Sequence, residues 1–395
     1  MRYYIIAGEA SGDLHGSNLM KGLYAEDSAA VIRFRGGELM DAVYSEHGTS
    51  DGGKAADYRD GAIMGFLKVV LKAGTVLRSL KECKEDILAF RPDVVILIDY
   101  PGFNMRIARW AHGRGLKVFY YIAPKVWASR EWRVKALRKY VDKLFIVFPF
   151  EKRFFGSKGI KYVYCGNPLV DAVESSPAFS QTKDEFCVEN GLEPGTETIA
   201  MLAGSRLGEV RSMMPLLKGA AAILHSKPEF SAYRFIIAGA PGRCEEDYGD
   251  YDESYIKVIF GKTQQIVHAA RAAAINSGTA SLEAALLGTP QVVAYKVSRI
   301  FYLIGRYLLI RCNYLSLGNL CLDKLAFREL YNPKKGTREE YTPESLAAEL
   351  ERLVTDKEYR AAMLDDYAAI RKSLGGSGAS RKVAGAMIES LKGSN

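Results

Sequence analysis

Short runs rich in Val, Ile, Phe and Tyr alternate with helix-like stretches along almost the whole chain. This alternation limits the fold more than any other feature of the sequence. Residues 3–7, 31–35, 94–98, 118–122 and 144–148 read as strands, with helical segments such as 105–112 and 131–140 between them. Strands so uniformly apolar must be covered on both faces, which implies a parallel sheet wrapped by helices. The series then restarts at 199–202, 235–238, 257–260, 273–275 and 291–295. The expectation is an α/β chain of two Rossmann-like, doubly wound parallel-sheet domains. A length of 395 residues suits this, at roughly 150 residues per domain.

The boundary is expected after the apolar run 162–165, where Gly166-Asn167-Pro168 breaks the periodicity and a polar stretch, 174–183, follows. Near the far end, Thr342 before Pro343 reads as a helix cap with proline in the first turn. Helices over 343–354, 357–373 and 380–391 should follow, the last set off by Gly375-Gly376-Ser377-Gly378. The domains are therefore expected at 1–166 and 167–374, with a C-terminal helix in 375–395 that can pack back on the first. Open α/β sheets bind ligands at the C-terminal ends of their strands, so a ligand is expected where both sheets face one cleft.

With 48% hydrophobic and 25% charged residues, the chain is neither disordered nor collagen-like, nor a small disulfide scaffold. Its 54 basic and 46 acidic residues leave a charge of +8, which suits anionic partners. The longer apolar stretches are interrupted by charge, as Arg306 interrupts 300–310, so no spanning helix is expected. The N-terminus MRYYIIAGEASGD has too short an apolar core for a signal peptide, which points to the cytoplasm. Six cysteines without a C-x-x-C pair read as reduced core residues, and five scattered histidines offer no metal site. No cofactor is called for.

Three glycine turns follow predicted strands. The first, Gly8-Glu9-Ala10-Ser11-Gly12-Asp13, fits two roles. It can bring free N–H groups to an anion, or it can be a tight turn with Ser11 or Asp13 as helix cap. In the second, Gly204-Ser205-Arg206, the arginine can engage phosphate oxygens bidentately or be a surface charge. The third, Asn276-Ser277-Gly278-Thr279, places hydroxyls on both sides of a glycine. Glu283 follows one helical turn later, where a carboxylate can accept from ribose hydroxyls. The alternative is Thr279 as cap and Glu283 as a favourable first-turn charge.

Familiar phosphate motifs fail. Gly261-Lys262-Thr263 resembles the end of a P-loop, but position 256 is isoleucine where glycine is needed. No G-x-G-x-x-G follows the first strand, and Ser205 is misplaced for a nucleophile elbow. Kinase, dehydrogenase and hydrolase chemistry all lose ground. Asp99, ending a strand before Tyr100-Pro101-Gly102-Phe103-Asn104, is a candidate general base at the rim of the first sheet, or else a turn residue. Two apolar stretches with basic residues, 62–77 and 298–311, can lie at a membrane interface, line an acyl groove, or be core helices. No nucleic-acid-binding motif is present, and no nucleic-acid partner is expected.

Together these residues resemble the lipid-A-disaccharide synthase family, glycosyltransferases of the GT-B type. The resemblance spans AGEASGDLHG (7–16), AIMGFL (62–67), IDYPGFN (98–104), APKVWAS (123–129), FPFEKRFF (148–155) and GNPLVDAV (166–173). It continues through AGSRLGEV (203–210), NSGTASLEAALLGTPQVVAYKVS (276–298) and YLSLGNL (314–320). The chain departs from the family's usual residues at Lys125, Ser129, Asn167, Ala203 and Gly318.

The resemblance implies a transferase that moves 2,3-diacylglucosamine from UDP-2,3-diacylglucosamine to the 6-hydroxyl of 2,3-diacylglucosamine 1-phosphate, with inversion and release of UDP. Asp99 would be the base. Gly204, Ser205, Arg206, Gly261, Gln264, Asn276, Ser277, Gly278, Thr279 and Glu283 would hold UDP, with 261–264 at the uracil. Acceptor and acyl chains are expected along Glu9, Ser11, Asp13, Met64, Phe66, Val69 and Asn104. The implied enzyme works as monomer or homodimer, without metal, peripherally on the inner face of the cytoplasmic membrane of a Gram-negative bacterium. Two other readings share the nucleotide turns: another GT-B enzyme, such as a UDP-N-acetylglucosamine 2-epimerase or a transferase to polyprenyl-linked acceptors, and a non-catalytic peripheral membrane UDP-sugar-binding protein.

Overall fold

A computed structural model describes residues 1–58, 69–127, 133–276, 278–296, 314–332 and 340–393. The chain divides into two compact units, Met1–Asp171 with Gly375–Asn395, and Ala172–Leu374.

In the first unit, seven parallel strands are described: β1 (Arg2–Ala7), β2 (Val31–Gly36), β3 (Gly53–Asp57), β4 (Val94–Ile98), β5 (Lys117–Tyr121), β6 (Lys143–Ile146) and β7 (Tyr162–Tyr164). Their order is β3-β2-β1-β4-β5-β6-β7. The central strands read RYYIIA and VVILI because helices cover both faces; every residue of β4 is buried. On one face the helices Val69–Phe90 and Pro101–His112 supply Cys83, Ile87, Phe103 and Ile107 to a core with Tyr4, Leu97 and Tyr120. Pro101 opens its helix four residues before the expected start at 105, since proline is pre-set for a first turn.

The second unit carries six described parallel strands: β8 (Thr198–Leu202), β9 (Arg234–Gly239), β10 (Ile256–Phe260), β11 (Ala272–Asn276), β12 (Gln291–Lys296) and β13 (Glu329–Asn332), in the order β10-β9-β8-β11-β12-β13. The Thr342 hydroxyl accepts from the Ser345 N–H and caps the helix Pro343–Thr355; Lys357–Leu374 follows.

The division falls after Asp171, not after Gly166, because residues 167–171 serve the first unit. Buried Asn167 donates to the Val147 carbonyl at 3.0 Å and accepts from Leu169 N–H at 2.9 Å. The Asp171 carboxylate accepts from Gly378 N–H (2.6 Å) and Ser380 N–H (3.1 Å) at the start of the last helix, Ala379–Lys392. That helix lies against Ala10–Glu26 in the first unit, close enough that a Cβ on Gly22 would meet the Ala384 Cβ at 3.1 Å. No helix among the described residues is long and apolar enough to cross a membrane.

Candidate active site

Each sheet has one place where its strand order reverses direction, and there the loops after two neighbouring strands part to leave a crevice. In the first unit this lies between β1 and β4, so the loop after Ala7 and the loop after Ile98 share it. Gly8 and Asp99 follow these strands. A Cβ on Gly8 would stand 2.2 Å from the Tyr100 ring, so only glycine permits that approach.

Asp99 is held in an uncommon conformation. Both Asp99 and Tyr100 have positive φ, 42° and 46°. Left-handed backbone at non-glycine residues costs on the order of 1 kcal/mol or more each and persists only where neighbours enforce it. Here the enforcing groups can be named. Asn104, fully buried, donates through Nδ2 to the carbonyls of Asp99 (2.8 Å) and Ile98 (3.1 Å), and the Tyr120 hydroxyl donates to the Asp99 carbonyl at 2.5 Å. The Asp99 N–H donates to Tyr121 on β5. The carboxyl's affinity for its proton is raised, first by burial and then by the Glu9 carboxylate, while the Lys125 ammonium opposes the shift. A half-buried acid of raised pKa suits a base that must keep a proton once taken.

The other residues singled out in this unit are placed as follows. Glu9 and Ser11 are exposed at the start of the helix Ala10–Glu26, where Glu9, at the N-cap position, makes no side-chain capping hydrogen bond. Asp13 is buried and engaged elsewhere: its carboxylate accepts from the N–H groups of Gly37 (2.7 Å), Leu39 (3.0 Å) and Met40 (3.2 Å) and so caps the helix Glu38–His47. Neither Ser11 nor Asp13 caps its own helix. Val69 opens the helix Val69–Phe90, and Asn104 holds the Asp99 turn from within the core. Met64, Phe66 and Ser129 lie outside the described residues, as do 62–68 of the first apolar stretch and all of 298–311.

In the second unit the strand order reverses between β8 and β11. The two candidate turns follow these strands, and a side chain joins them: Asn276 donates through Nδ2 to the Ala203 carbonyl at 3.2 Å. Gly204 has φ +105°, and a Cβ there would meet Asn276 Nδ2 at 2.5 Å and Glu209 Cβ at 2.8 Å. Ser205 and Arg206 donate backbone N–H groups to Glu209, whose carboxylate also pairs with the Arg206 guanidinium at 3.2 Å. That pair is largely exposed, and such pairs stabilise little, so the arginine can leave it for an anion.

Across the reversal, the helix Ala280–Leu287 begins behind Gly278. Thr279 makes no capping hydrogen bond, which leaves the first backbone donors uncapped by that residue, and nothing stands within 4 Å of a Cβ placed on Gly278. Ser277 lies outside the described residues. Glu283 sits in the first turn, its pKa raised by burial alone. Gly261 (φ +75°) and Gln264 follow the edge strand β10, on the same rim of the parallel sheet as the two turns.

Sequence reasoning did not find Tyr120, whose contact with Asp99 spans two strands. Nor did it find the load on Glu151. This buried carboxylate accepts from Val147 N–H, Phe148 N–H and Trp127 Nε1, and burial lifts its pKa to about 7.

Two Rossmann-like sheets, each with a glycine turn at its strand-order reversal, define a GT-B protein. Solved structures share this fold. The UDP-GlcNAc 2-epimerase from Neisseria meningitidis bound to UDP-GlcNAc matches 98% of this chain and 100% of its own, with a TM-score of 0.68 at 13% identity. The calicheamicin glycosyltransferase CalG4 matches 100% and 98%, with a TM-score of 0.58 at 14% identity. The family model described as lipid-A-disaccharide synthetase matches residues 3–380. The lipid-A-disaccharide synthase of Syntrophus aciditrophicus is 35% identical over 395 residues, covering 99% of this chain and 98% of the relative. That of Geobacter metallireducens is 34% identical over 393 residues, covering 99% and 97%. The chain belongs to the lipid-A-disaccharide synthetase family, glycosyltransferases of lipid A biosynthesis.

Proposed function

We propose that the protein transfers 2,3-diacylglucosamine from UDP-2,3-diacylglucosamine to the 6-hydroxyl of 2,3-diacylglucosamine 1-phosphate, inverting the anomeric centre. Asp99 takes the proton of the attacking hydroxyl. Arg206 and the uncapped N–H groups behind Gly278 receive the charge that develops on departing UDP. Glu283 accepts from the ribose, and 261–264 borders the uracil. The first unit holds the acceptor and faces the membrane, and the second holds the sugar nucleotide. The surplus of +8 favours anionic lipid and substrates, consistent with peripheral attachment on the cytoplasmic side.

The observation that carries this reading is Asp99 itself: a half-buried carboxylate at a strand-order reversal, in a left-handed turn braced by two buried donors. An epimerase shares the fold, but the full-length relatives at 34–35% identity are named as synthases. The test is mass spectrometry of the product formed from both lipid substrates, with and without EDTA. Asp99→Asn should lower turnover at least about a hundredfold while UDP binds as before. Near-normal turnover removes Asp99 from the role, and loss of product in EDTA shows that a metal takes part.

A further inference from the structure

In the first unit a cavity of about 320 Å³ opens beside the ends of β1 and β2, under Tyr100 and Phe103. Among its described lining residues, one guanidinium is left without an ion-pair partner. Arg35 reaches it from β2, half-buried, and its only hydrogen bond among the described residues is from Nη2 to the Ser79 hydroxyl at 2.9 Å. No carboxylate of a described residue lies within ion-pair distance of Arg35. The two acids of the wall are already matched: Glu82 pairs with Arg78 at 2.8 Å and Asp57 with Lys54 at 2.9 Å. A half-buried guanidinium facing a cavity, with no carboxylate already on it, is free to take an anion bidentately.

We propose that this cavity seats the phosphate ester of the acylated acceptor, with Arg35 as its ligand; the assignment rests on the acceptor reading given above. Register supplies the spacing. Arg35 pairs with Ile6, and Ala7 pairs with Ile98 just before Asp99, so Arg35 stands two strands from β4, about 10 Å across the sheet. A sugar whose 6-hydroxyl meets Asp99 carries its anomeric phosphate at the far side of the ring. The long Arg35 side chain can close that gap, and its planar fork suits phosphate oxygens. Tyr100 follows Asp99 directly and also lines the cavity, stacked on Phe103 with centroids 5.6 Å apart, which gives the ring and acyl chains an apolar wall.

The test compares the phosphorylated acceptor with its dephosphorylated analogue in the full-length enzyme. Wild type should prefer the phosphorylated form. Arg35→Met keeps the apolar stem and should raise the acceptor KM at least tenfold for the phosphorylated form only, leaving the analogue and the UDP-sugar KM unchanged. Arg35→Lys should recover part of the loss. An unchanged KM, or an equal loss on both acceptors, overturns the assignment while the transferase reading stands. If wild type turns over neither acceptor, the transferase reading fails instead. Binding of the phosphorylated lipid in mixed micelles, with inorganic phosphate as competitor, then decides the cavity alone: binding equal in wild type and Arg35→Met refutes it. Competition by phosphate that Arg35→Met abolishes, with no gain from the lipid, marks a free-phosphate site and refutes the lipid assignment.

Discussion

The Tyr120 hydroxyl donates to the backbone carbonyl of Asp99 at 2.5 Å, from the strand next to the one that Asp99 ends. The carbonyl also accepts from Asn104, so two buried donors converge on one strained peptide. Tyr120→Phe removes one of them and leaves the ring in the core. The loss of one hydrogen bond should cost about 1 kcal/mol of stability. Because Tyr120 acts through the backbone, kcat should fall by about tenfold for a carboxylate misplaced by a fraction of an ångström, with KM for the UDP-sugar unchanged. Equal falls in kcat and stability-limited active fraction, with kcat per active site intact, make Tyr120 a core residue only.

The Lys125 ammonium acts on Asp99 against the raising effects of burial and Glu9. A base works only when ionised, so activity must fall on the acid side as Asp99 gains its proton. Lys125→Gln removes the opposing charge, which raises the Asp99 pKa further. The acid limb of kcat/KM against pH should therefore move to higher pH. Lys125 is exposed, so the gap between variant and wild type should shrink as salt is added. A limb that stays in place detaches it from Asp99.

Gly204 and Gly278 give a contrast within the second unit. Gly204→Ala meets Asn276 Nδ2 at 2.5 Å with a left-handed backbone, so it should lower the melting temperature and the affinity for UDP together. Gly278→Ala meets nothing within 4 Å and should leave the melting temperature alone. A methyl group in front of uncapped helix donors still obstructs a phosphate, so UDP affinity should fall about tenfold or more. Thermal melts with and without UDP separate the two; unchanged UDP affinity in Gly278→Ala takes the diphosphate away from that turn.

What could be read from the sequence follows burial. The central strands are apolar on both faces and stand out, and so do the turns after them. The three unread strands, GKAAD of β3, YVY of β7 and ELYN of β13, are all sheet edges, where one neighbour is missing and polar residues are tolerated. Asp99 could be placed at a strand end from its own neighbours in the chain. The brace behind it could not, because Tyr120 comes 21 residues later and meets it only once β4 and β5 pair. Asp13 shows the same limit: its side chain caps a helix that starts at Glu38, so its position in a glycine turn gives no sign of that load.

Glu151 should leave a mark on stability rather than on turnover. Burial lifts its pKa to about 7 from an ordinary 4.5, so between those values the folded protein holds a proton that the unfolded chain has released. The unfolded state then binds fewer protons, and stability must fall as pH rises through this window, by at most about 1.4 kcal/mol per pH unit. Below 4.5 both states are protonated, above 7 both are ionised, and the contribution is flat at each end. Glu151→Gln cannot titrate. Its amide also turns a donor toward Trp127 Nε1 or the N–H groups of Val147 and Phe148, so it should be less stable throughout. The comparison is therefore one of slope: denaturant unfolding from pH 4.5 to 7 should decline in wild type and run flatter in Glu151→Gln. Equal slopes would assign the decline to another group.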